Sequence, residues 1–194
     1  MIDIPALEAE LRTHCDGKDW EPAATTAIRG YGPELLGYLN AMLRDASEAD
    51  DVFATVCEHI WAGVERFAWQ SSFRTWVYAV TRNACVSFVR GARKHRRVVH
   101  TTTALAAVAQ EVRTRTASFL RTETKDRLAE IRAALDPDDQ TLLILRVDRQ
   151  LAWREIAQVF EGEDAASEVL DRRSSALRKR FERLKDDLRE ALGK

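Results

Sequence analysis

The sequence has few cysteines, and none of them is in a pattern typical of a disulfide framework or a metal site. Its three cysteines, Cys15, Cys57 and Cys85, are an odd number at wide spacings without a CxxC pair. Disulfide-stabilised domains and zinc sites use paired cysteines at characteristic spacings. The single pairing that could indicate metal is His14-Cys15 beside Asp16, which we interpret as a surface coincidence. The sequence therefore predicts no metal and no other cofactor.

Long hydrophobic runs are also missing. The longest runs, such as Leu142-Leu143-Ile144-Leu145, are far shorter than the roughly 20 apolar residues that span a bilayer. The N-terminus has no basic leader followed by an apolar stretch. We therefore expect a cytoplasmic protein without membrane insertion.

Glycine and histidine are too sparse for the common catalytic patterns. The chain has eight glycines, too few for a phosphate-binding loop at any position that its sequence suggests. None of its four histidines belongs to a recognisable triad or metal motif. An enzyme is thus the weakest functional class, and we expect no catalytic residues.

Acidic residues are missing from one long segment, although the whole protein is nearly neutral with a formal net charge of −1. Between Glu65 and Glu111 there is no Asp or Glu. The segment contains the run Ser72-Phe73-Arg74-Thr75-Trp76-Val77-Tyr78, and its bases are Arg66, Arg74, Arg82, Arg90, Arg93, Lys94, Arg96 and Arg97. A basic surface attracts phosphates, and exposed aromatic rings can stack on unpaired bases. This pattern favours opened or single-stranded nucleic acid as a ligand.

The preceding segment has the opposite charge. From Glu34 to Glu65 the chain has seven acidic residues and a single base, Arg44. Adjacent acidic and basic surfaces are expected of a module that binds a protein partner with one face and nucleic acid with another. The alternative interpretation is a solvated, dipolar helical bundle.

Helical periodicity extends over most of the sequence, and we find no strand-like alternation of useful length. Three apolar stripes at helical spacing predict a compact three-helix bundle. Their residues are Ile28, Tyr31, Leu35, Leu39 and Met42 or Leu43; Ala49, Val52, Phe53, Val56, Cys57, Ile60, Trp61 and Val64; and Phe73, Trp76, Val77, Val80, Ala84 and Phe88. Ser71 or Ser72 is placed to cap the third helix. A short helix through Ile4, Leu7 and Leu11 precedes the bundle and ends near Gly17.

A second, smaller helical domain follows a segment of weak pattern. Residues 98–124 have no strong apolar stripe, so we predict a linker there, helical in part. Asp136-Pro137-Asp138 then supplies a turn and a helix cap. The next helix spans residues 153–160, and the last helix carries basic residues around its start. Two helices in this order are typical of a helix-turn-helix, whose second helix enters the major groove of DNA. A plain amphipathic helix is the alternative. The predicted fold is all-α, with two small helical domains joined by a linker.

Taken together, the two halves resemble the sigma factors of bacterial RNA polymerase, specifically the small extracytoplasmic-function type of the sigma-70 family. Glu48-Ala49-Asp50-Asp51-Val52 is similar to the family's D-A-E-D-L/V core-binding motif, and the run from Ser72 to Tyr78 with Arg82-Asn83-Ala84 is similar to the motif that follows. Leu151-Ala152-Trp153-Arg154-Glu155-Ile156-Ala157 stands where the family has L-S-Y-x-E-I-A. The resemblance implies an N-terminal extension (1–24), sigma region 2 (25–97), a linker (98–124) and sigma region 4 (125–194).

The resemblance also implies a function, partners and site residues. An alternative sigma factor would bind core RNA polymerase, through the β′ clamp and the β flap, and direct promoter recognition. Core polymerase would be bound by Glu48, Asp50, Asp51, Thr55 and Glu58. The minus-ten element would be bound by Ser71, Ser72, Arg74, Asn83, Arg90, Arg93, Lys94, Arg96 and Arg97. The minus-thirty-five element would be read by Arg172, Arg173, Ser175, Arg178 and Lys179.

Two departures from the family pattern bear on these assignments. The family usually has Gln-Glu where this chain has Ala54-Thr55, which removes a polar pair from the expected polymerase interface. Phosphorylation of Thr55 by a regulatory kinase would add charge there. The second departure is an acidic insertion at residues 161–171, which leaves the recognition residues of the last helix open.

Two other functions remain as alternatives. A helix-turn-helix regulator that acts without polymerase would explain the bases of the last helix, but it leaves the segment from Phe73 to Arg97 unexplained. A protein-interaction module would keep core binding and lack promoter function. An anti-sigma factor is a further expected partner of a sigma factor.

Overall fold

The computed structural model describes residues 2–91, 103–120 and 134–192. Within these ranges the regular structure is helical and contains no strand, which confirms the predicted all-α class. The chain forms two compact units, Met1–Thr122 and Glu123–Lys194. None of the helices in the described ranges is both long and apolar enough to cross a membrane.

Unit 1 is a bundle of helices around an apolar core. Its described helices are α1 (Ile4–Asp16), α2 (Trp20–Leu43), α3 (Ala46–Gly63), α4 (Phe73–Val89) and α5 (Thr103–Leu120). A 3-10 turn, Val64–Arg66, follows α3. The core contains fully buried side chains from α2, α3 and α4, including Tyr31, Phe53, Ile60 and Phe73.

The predicted short helix near the N-terminus is confirmed as α1. The Asp3 carboxylate caps it by accepting a hydrogen bond from the backbone N–H of Ala6 at 3.1 Å. Leu7 and Leu11 are buried, so α1 is packed into unit 1. In the structure the residues predicted as an N-terminal extension thus include a helix that packs against the bundle.

Helix α2 is longer than its apolar stripe predicts. It begins at Trp20 because Ala23, Ala24 and Ala27 also face the core, and such small side chains give a weak periodic signal. A side chain at Gly30 would place Cβ 2.4 Å from Leu7 Cδ2, and one at Gly32 would place Cβ 2.8 Å from Val112 Cγ1. These two glycines allow α1 and α5 to pack closely against α2.

Helices α3 and α4 agree with the predicted stripes and caps. Ser72 caps α4, since its hydroxyl oxygen accepts a hydrogen bond from the backbone N–H of Thr75 at 3.1 Å. Asp45 caps α3 in the same way, accepting from the N–H of Glu48 at 2.9 Å. Both caps fix where the chain enters these helices.

Most of the predicted linker is helical in the structure. Residues 103–120 form α5, which packs against α2 and α3. Its buried stripe includes Leu105, Val108, Ala109 and Val112. Alanine and threonine dilute this stripe, so its helical periodicity is weak in the sequence. The predicted linker residues 98–102 and 121–124 lie outside the described ranges.

Unit 2 contains the predicted helix-turn-helix. Its described elements are α6 (Pro137–Leu143), a π-helical turn (Ile144–Asp148), α7 (Trp153–Glu161) and α8 (Ser167–Leu192). Asp136 caps α6, as the sequence indicated, by accepting from the N–H of Asp138 at 2.9 Å. The Arg180 guanidinium on α8 binds Asp136 at 2.9 Å and also binds Asp139, which joins α8 to the start of α6. The hydrogen bonds and charges of these carboxylates raise the pKa of Arg180.

Candidate functional site

An acidic stripe runs along the solvent face of α3. Asp51 and Thr55 are exposed and Glu58 is half-buried, and their spacing of four and three residues places them on one helical face. The Thr55 hydroxyl donates to the backbone carbonyl of Asp51 at 3.3 Å. We call Asp51, Thr55 and Glu58 the acidic stripe. It presents two carboxylates to a partner without an intervening base.

Asp50 lies beside the acidic stripe and faces α5. Arg113 of α5 donates to the Asp50 backbone carbonyl at 2.8 Å, and its Nε lies 3.6 Å from Asp50 Oδ1. Glu48, the remaining predicted polymerase contact, is half-buried in the first turn of α3. The five predicted residues therefore divide between an open face and a face that α5 adjoins.

The loop between α3 and α4 is built on clustered aromatic rings. The Phe67 ring centroid lies 4.9 Å from those of Trp69 and Phe73 and 5.1 Å from that of Trp76. Trp76 packs against Gly63, where an added Cβ would lie 2.9 Å from its ring. Trp76 is thus a packing residue, as its spacing along α4 suggested. Trp69 is half-buried, and the Arg12 guanidinium of α1 lies 4.0 Å above its ring.

Arg74, predicted to bind DNA, is instead engaged inside unit 1. Its guanidinium forms a bidentate pair with Glu34 of α2, with the shortest separation 2.8 Å, and both side chains are less than 20% exposed. The Tyr78 hydroxyl donates to the same carboxylate at 3.1 Å. Desolvated bidentate pairs of this kind hold helices together. Arg74 therefore connects α4 to α2, and the structure does not place it on the nucleic-acid surface.

The outer face of α4 carries the accessible part of the predicted minus-ten surface. Asn83 and Arg90 are exposed, and the spacing of four and three residues puts exposed Ser87 between them. Ser87 was not singled out from the sequence, although that spacing was available there. Ser71 and Ser72 are half-buried at the start of the helix. The predicted phosphate contacts Arg93, Lys94, Arg96 and Arg97 lie outside the described residues.

In unit 2, part of the predicted minus-thirty-five surface forms one open face of α8. Arg172, Ser175 and Lys179 are exposed at spacings of three and four residues, and with Asp171 and Ala176 they line a shallow depression. Asp171 is neutralised by Arg154 of α7. The face is therefore positive on balance, with a small residue at its centre.

The other two predicted residues of α8 are held by aromatic side chains. Arg173 pairs with Glu161 at 2.9 Å and lies 5.2 Å from the Phe160 ring centroid. Arg178 is exposed and lies 5.7 Å from the centroid of Trp153. Arg173 is thus directed toward α7, whereas Arg178 still reaches solvent.

The acidic insertion lengthens the recognition helix. Only residues 162–166 separate α7 from α8, and the rest of the insertion forms the end of α7 and the first turns of α8. Gly162 makes the turn possible with a φ of 99°. Glu161, at the end of α7, is used to pair Arg173. These extra residues therefore move the basic face of α8 away from the helix start.

The described residues contain no group of His, Cys, Asp or Glu side chains that could hold a metal. The three thiols are free and buried. Burial raises the pKa of Cys57 to about 12 and that of Cys85 to about 11, against an ordinary value of 9.0. Such thiols are poor nucleophiles at neutral pH because little thiolate is present.

Known proteins match the part of the chain that carries these features. Residues 27–95 match the family described as sigma-70 region 2. This segment of the chain is a sigma-70 region 2 domain. It is 31% identical over 95 residues to the "ECF RNA polymerase sigma factor SigG" of Mycobacterium tuberculosis, in both strain CDC 1551 and strain H37Rv. The prediction of a sigma-70 protein of the extracytoplasmic-function type is confirmed.

The similarity covers only part of each protein. It includes 48% of this chain and 25% of the M. tuberculosis relatives, so the chain spans about a quarter of their length in the match. The region 2 match begins inside α2 and continues through α3 and α4, which carry the acidic stripe and the aromatic loop. Helix α1 and the whole of α5 lie outside the residues that match this family and pack against the matched domain.

One residue that positions the site was missed from the sequence. Glu8 of α1 accepts hydrogen bonds from the backbone N–H groups of Phe73 and Arg74, both at 2.9 Å, and from the Tyr31 hydroxyl at 2.5 Å. Glu8 thus caps α4, the helix that carries several of the residues predicted to bind the minus-ten element. Burial is the main cause that raises the pKa of Tyr31, and the Glu8 hydrogen bond adds to it. A lone glutamate 65 residues from its partner leaves no local signal in the sequence.

Proposed function

We propose that this chain is an alternative sigma factor that binds core RNA polymerase and directs it to promoters. The sigma-70 region 2 match is the observation that carries the proposal, because it covers the acidic stripe, the aromatic loop and the exposed face of α4. The named relatives are sigma factors of RNA polymerase, and that role comes to this chain as an inference.

The acidic stripe is the proposed docking surface for core polymerase. Asp51 and Glu58 present negative charge on a rigid helix whose inner face is fixed by buried Val52, Phe53 and Val56. A partner helix with basic side chains complements this surface, in agreement with the β′ clamp that the family resemblance implies. Complementary charge on a rigid face favours rapid and specific association.

The loop of residues 67–72 and the outer face of α4 are the proposed minus-ten surface. Arg90 attracts the phosphates of the opened strand, and Asn83 and Ser87 offer hydrogen bonds to base edges or phosphates. The half-buried ring of Trp69 lies in this loop under the Arg12 guanidinium, and an unpaired base can stack there if it displaces Arg12. The free energy of these contacts offsets the cost of unpairing, so the opened strand is stabilised when it is bound.

The open face of α8 is the proposed minus-thirty-five surface. Arg172, Ser175 and Lys179 reach outward together, and Arg178 lies at their edge. Guanidinium and ammonium groups on such a face bind phosphates or guanine edges of the major groove. The α8 face would thereby hold the upstream duplex while unit 1 traps the opened strand.

Transcription with purified core polymerase on a library of genomic fragments tests the proposal. The wild-type protein should produce transcripts that start downstream of a shared two-part motif, and Asp50→Ala/Asp51→Ala should abolish them. Asp16→Ala/Asp19→Ala is the matched control, because it removes two exposed carboxylates from unit 1 outside the proposed surface. The control variant should transcribe like the wild type.

Two other results would contradict the proposal. If the protein binds duplex DNA without core polymerase and yields no new transcripts, the chain is a helix-turn-helix regulator. If it binds core polymerase but directs no transcription from any fragment, it is an interaction module without promoter function.

A further inference from the structure

Helix α5 covers a large part of the α2–α3 surface next to the acidic stripe. Leu105, Val108, Ala109, Val112 and Thr116 are all at most 6% exposed, and they recur at spacings of three and four residues. Val112 fits against Gly32 of α2 and lies near the ring of Phe53 in α3. The surface beneath α5 is therefore an apolar groove that receives a helix.

Charged contacts at the edges of this groove hold α5 in register. Arg29 of α2 binds Glu111 at 3.0 Å on one side. On the other side, Arg113 binds the carbonyl and approaches the carboxylate of Asp50. The Arg113 side chain is only 24% exposed. Arg113 thus pairs with Asp50, one of the carboxylates predicted to bind polymerase.

The contact between Arg113 and Asp50 is incompletely satisfied. At 3.6 Å the Arg113 Nε and the Asp50 carboxylate form an ion pair but no hydrogen bond. This buried Nε has no hydrogen-bond acceptor among the described residues. A desolvated N–H without an acceptor costs free energy. Apolar packing therefore holds α5 on the groove, but its polar contact with Asp50 is suboptimal. A competing partner can offer Asp50 a better hydrogen-bonded cation.

We propose that α5 is an intramolecular cover of the polymerase-binding surface, and that core polymerase replaces it with a helical segment carrying basic side chains. The inference rests on the proposed sigma-factor function. The chemistry of α5 indicates that of the incoming partner, which must present a cation to Asp50 and small or apolar side chains to the groove at Gly32. Free protein and polymerase-bound protein would then differ in the position of α5.

The proposed cover predicts a reduced affinity for core polymerase. If only the uncovered form binds core polymerase, the observed affinity is reduced by the fraction of molecules in which α5 is released. A substitution that weakens the α5 contact must tighten binding, although it removes nothing from the partner surface. This direction is opposite to that expected if α5 contributed to the interface.

A reversible covalent lock tests the cover directly. A Cβ at position 32 would lie 2.8 Å from Val112 Cγ1, which is close to the geometry of a disulfide between Gly32→Cys and Val112→Cys. The native thiols are buried and do not compete for oxidation under mild conditions. Binding to purified core polymerase is measured for the oxidised and the reduced double variant, with disulfide formation confirmed by mass spectrometry. We expect the oxidised form to bind at least about tenfold more weakly, with affinity restored on reduction.

A second variant keeps the test independent of the engineered disulfide. Arg113→Ala removes the contact with Asp50, and we expect core binding to tighten about three- to tenfold, the range of one partly exposed ion pair. Arg115→Ala is the matched control, since this guanidinium is 61% exposed on the same helix and lies 3.9 Å from Glu111, also on α5. It should leave core binding unchanged.

The outcomes separate the cover from the proposed function. Equal binding of the oxidised and reduced forms, or weaker binding of Arg113→Ala than of wild type, would show that α5 is not a cover while leaving the sigma-factor function intact. Failure of the wild-type protein itself to bind core polymerase would instead overturn the proposed function, and the cover together with it.

Discussion

The carboxylate of Glu8 joins three helices through its hydrogen bonds. It accepts from two backbone N–H groups at the start of α4 and from the Tyr31 hydroxyl of α2. Hydrogen bonds to a charged acceptor are each stronger than neutral ones, and leaving their donors unsatisfied costs more still. Glu8→Gln retains one acceptor and places an amide N–H among donors. We expect it to lower the free energy of unfolding by about 1–3 kcal/mol.

Urea denaturation followed by circular dichroism measures this loss. Glu10→Gln is the control, because Glu10 lies on the same helix, is 59% exposed and accepts only a long hydrogen bond from Thr26 at 3.4 Å. Its unfolding midpoint should match that of the wild type. Equal midpoints for Glu8→Gln and Glu10→Gln would mean that Glu8 contributes nothing to the capping of α4.

The buried thiols give a prediction about pH. Desolvation raises the pKa of Cys57 to about 12 and that of Cys85 to about 11, while an unfolded thiol titrates near 9.0. The folded state therefore binds these protons more tightly than the unfolded chain. Their contribution to stability is complete below pH 9 and is lost as the pH rises toward these folded values. Reaction with a disulfide reagent at pH 8 should be slow in the native protein and fast for all three cysteines in guanidinium.

The same reaction would reveal a cysteine that becomes accessible without global unfolding. A thiol that reacts rapidly in the native protein would show that its side chain is exposed by local opening faster than by global unfolding. Unfolding measured between pH 8 and pH 10 provides the independent check, since stability should decrease over that interval if the raised pKa values are correct.

Some single-residue roles could be predicted from the sequence, and others could not. A cap at Ser71 or Ser72 and another within Asp136-Pro137-Asp138 were expected, because a cap acts on the N–H groups of its own helix and its signal is therefore local. The pair between Arg74 and Glu34 joins residues 40 positions apart, and nothing near Arg74 in the sequence indicates it. Arg74 was therefore predicted on the DNA surface by resemblance, while the fold places it against α2.

Whole helices were predictable where large apolar residues define one face. The stripes of α3 and α4 contain Phe, Ile, Val and Trp, and the predicted helices agree with the structure. The first turns of α2 bury alanine instead, and the stripe of α5 mixes leucine and valine with buried alanine and threonine, so their periodicity is weak. Their helical state depends on packing against the rest of unit 1, which a local pattern does not contain.

Helix α7 has an incomplete cap that can be repaired. Glu155 reaches back and accepts a hydrogen bond from the Ala152 backbone N–H at 2.8 Å, which is half of a capping box. Ala152 stands where the sigma-factor motif has serine, so the other half is missing. Ala152→Ser should supply a hydroxyl to the N–H at the third helical position and stabilise unit 2 by about 0.5–1 kcal/mol. Thermal unfolding measures the gain.

The control for this prediction is a serine placed where it cannot cap. Ala176 lies exposed in the middle of α8, and Ala176→Ser should slightly lower stability because serine has the poorer helix propensity. A gain of equal size in both variants would show that the effect of Ala152→Ser does not come from capping.

The division of the molecule into two units limits what sequence similarity can reveal. The chain-wide resemblance predicted two DNA-binding regions, and the family match covers residues 27–95, all within unit 1. The roles of unit 2 rest on the geometry of α8 and on the resemblance. Each unit has its own core, so substitutions on the surface of one should leave the fold of the other unchanged.

This independence leads to a prediction for promoter use. Asn83→Ala in unit 1 should reduce strand opening, measured by permanganate reactivity of unpaired thymines, with little effect on the affinity for closed promoter duplex. Lys179→Ala in unit 2 should weaken duplex binding at all sequences and reduce the salt dependence of binding by about one phosphate contact. Because the two side chains lie in separate units, the free-energy penalties of the double variant should add.

Lys185→Ala is the control, since Lys185 pairs with Glu182 at 2.6 Å outside the open face of α8. A penalty for the double variant equal to that of either single variant would mean that the two surfaces act on one step, contrary to separate roles in duplex binding and strand opening.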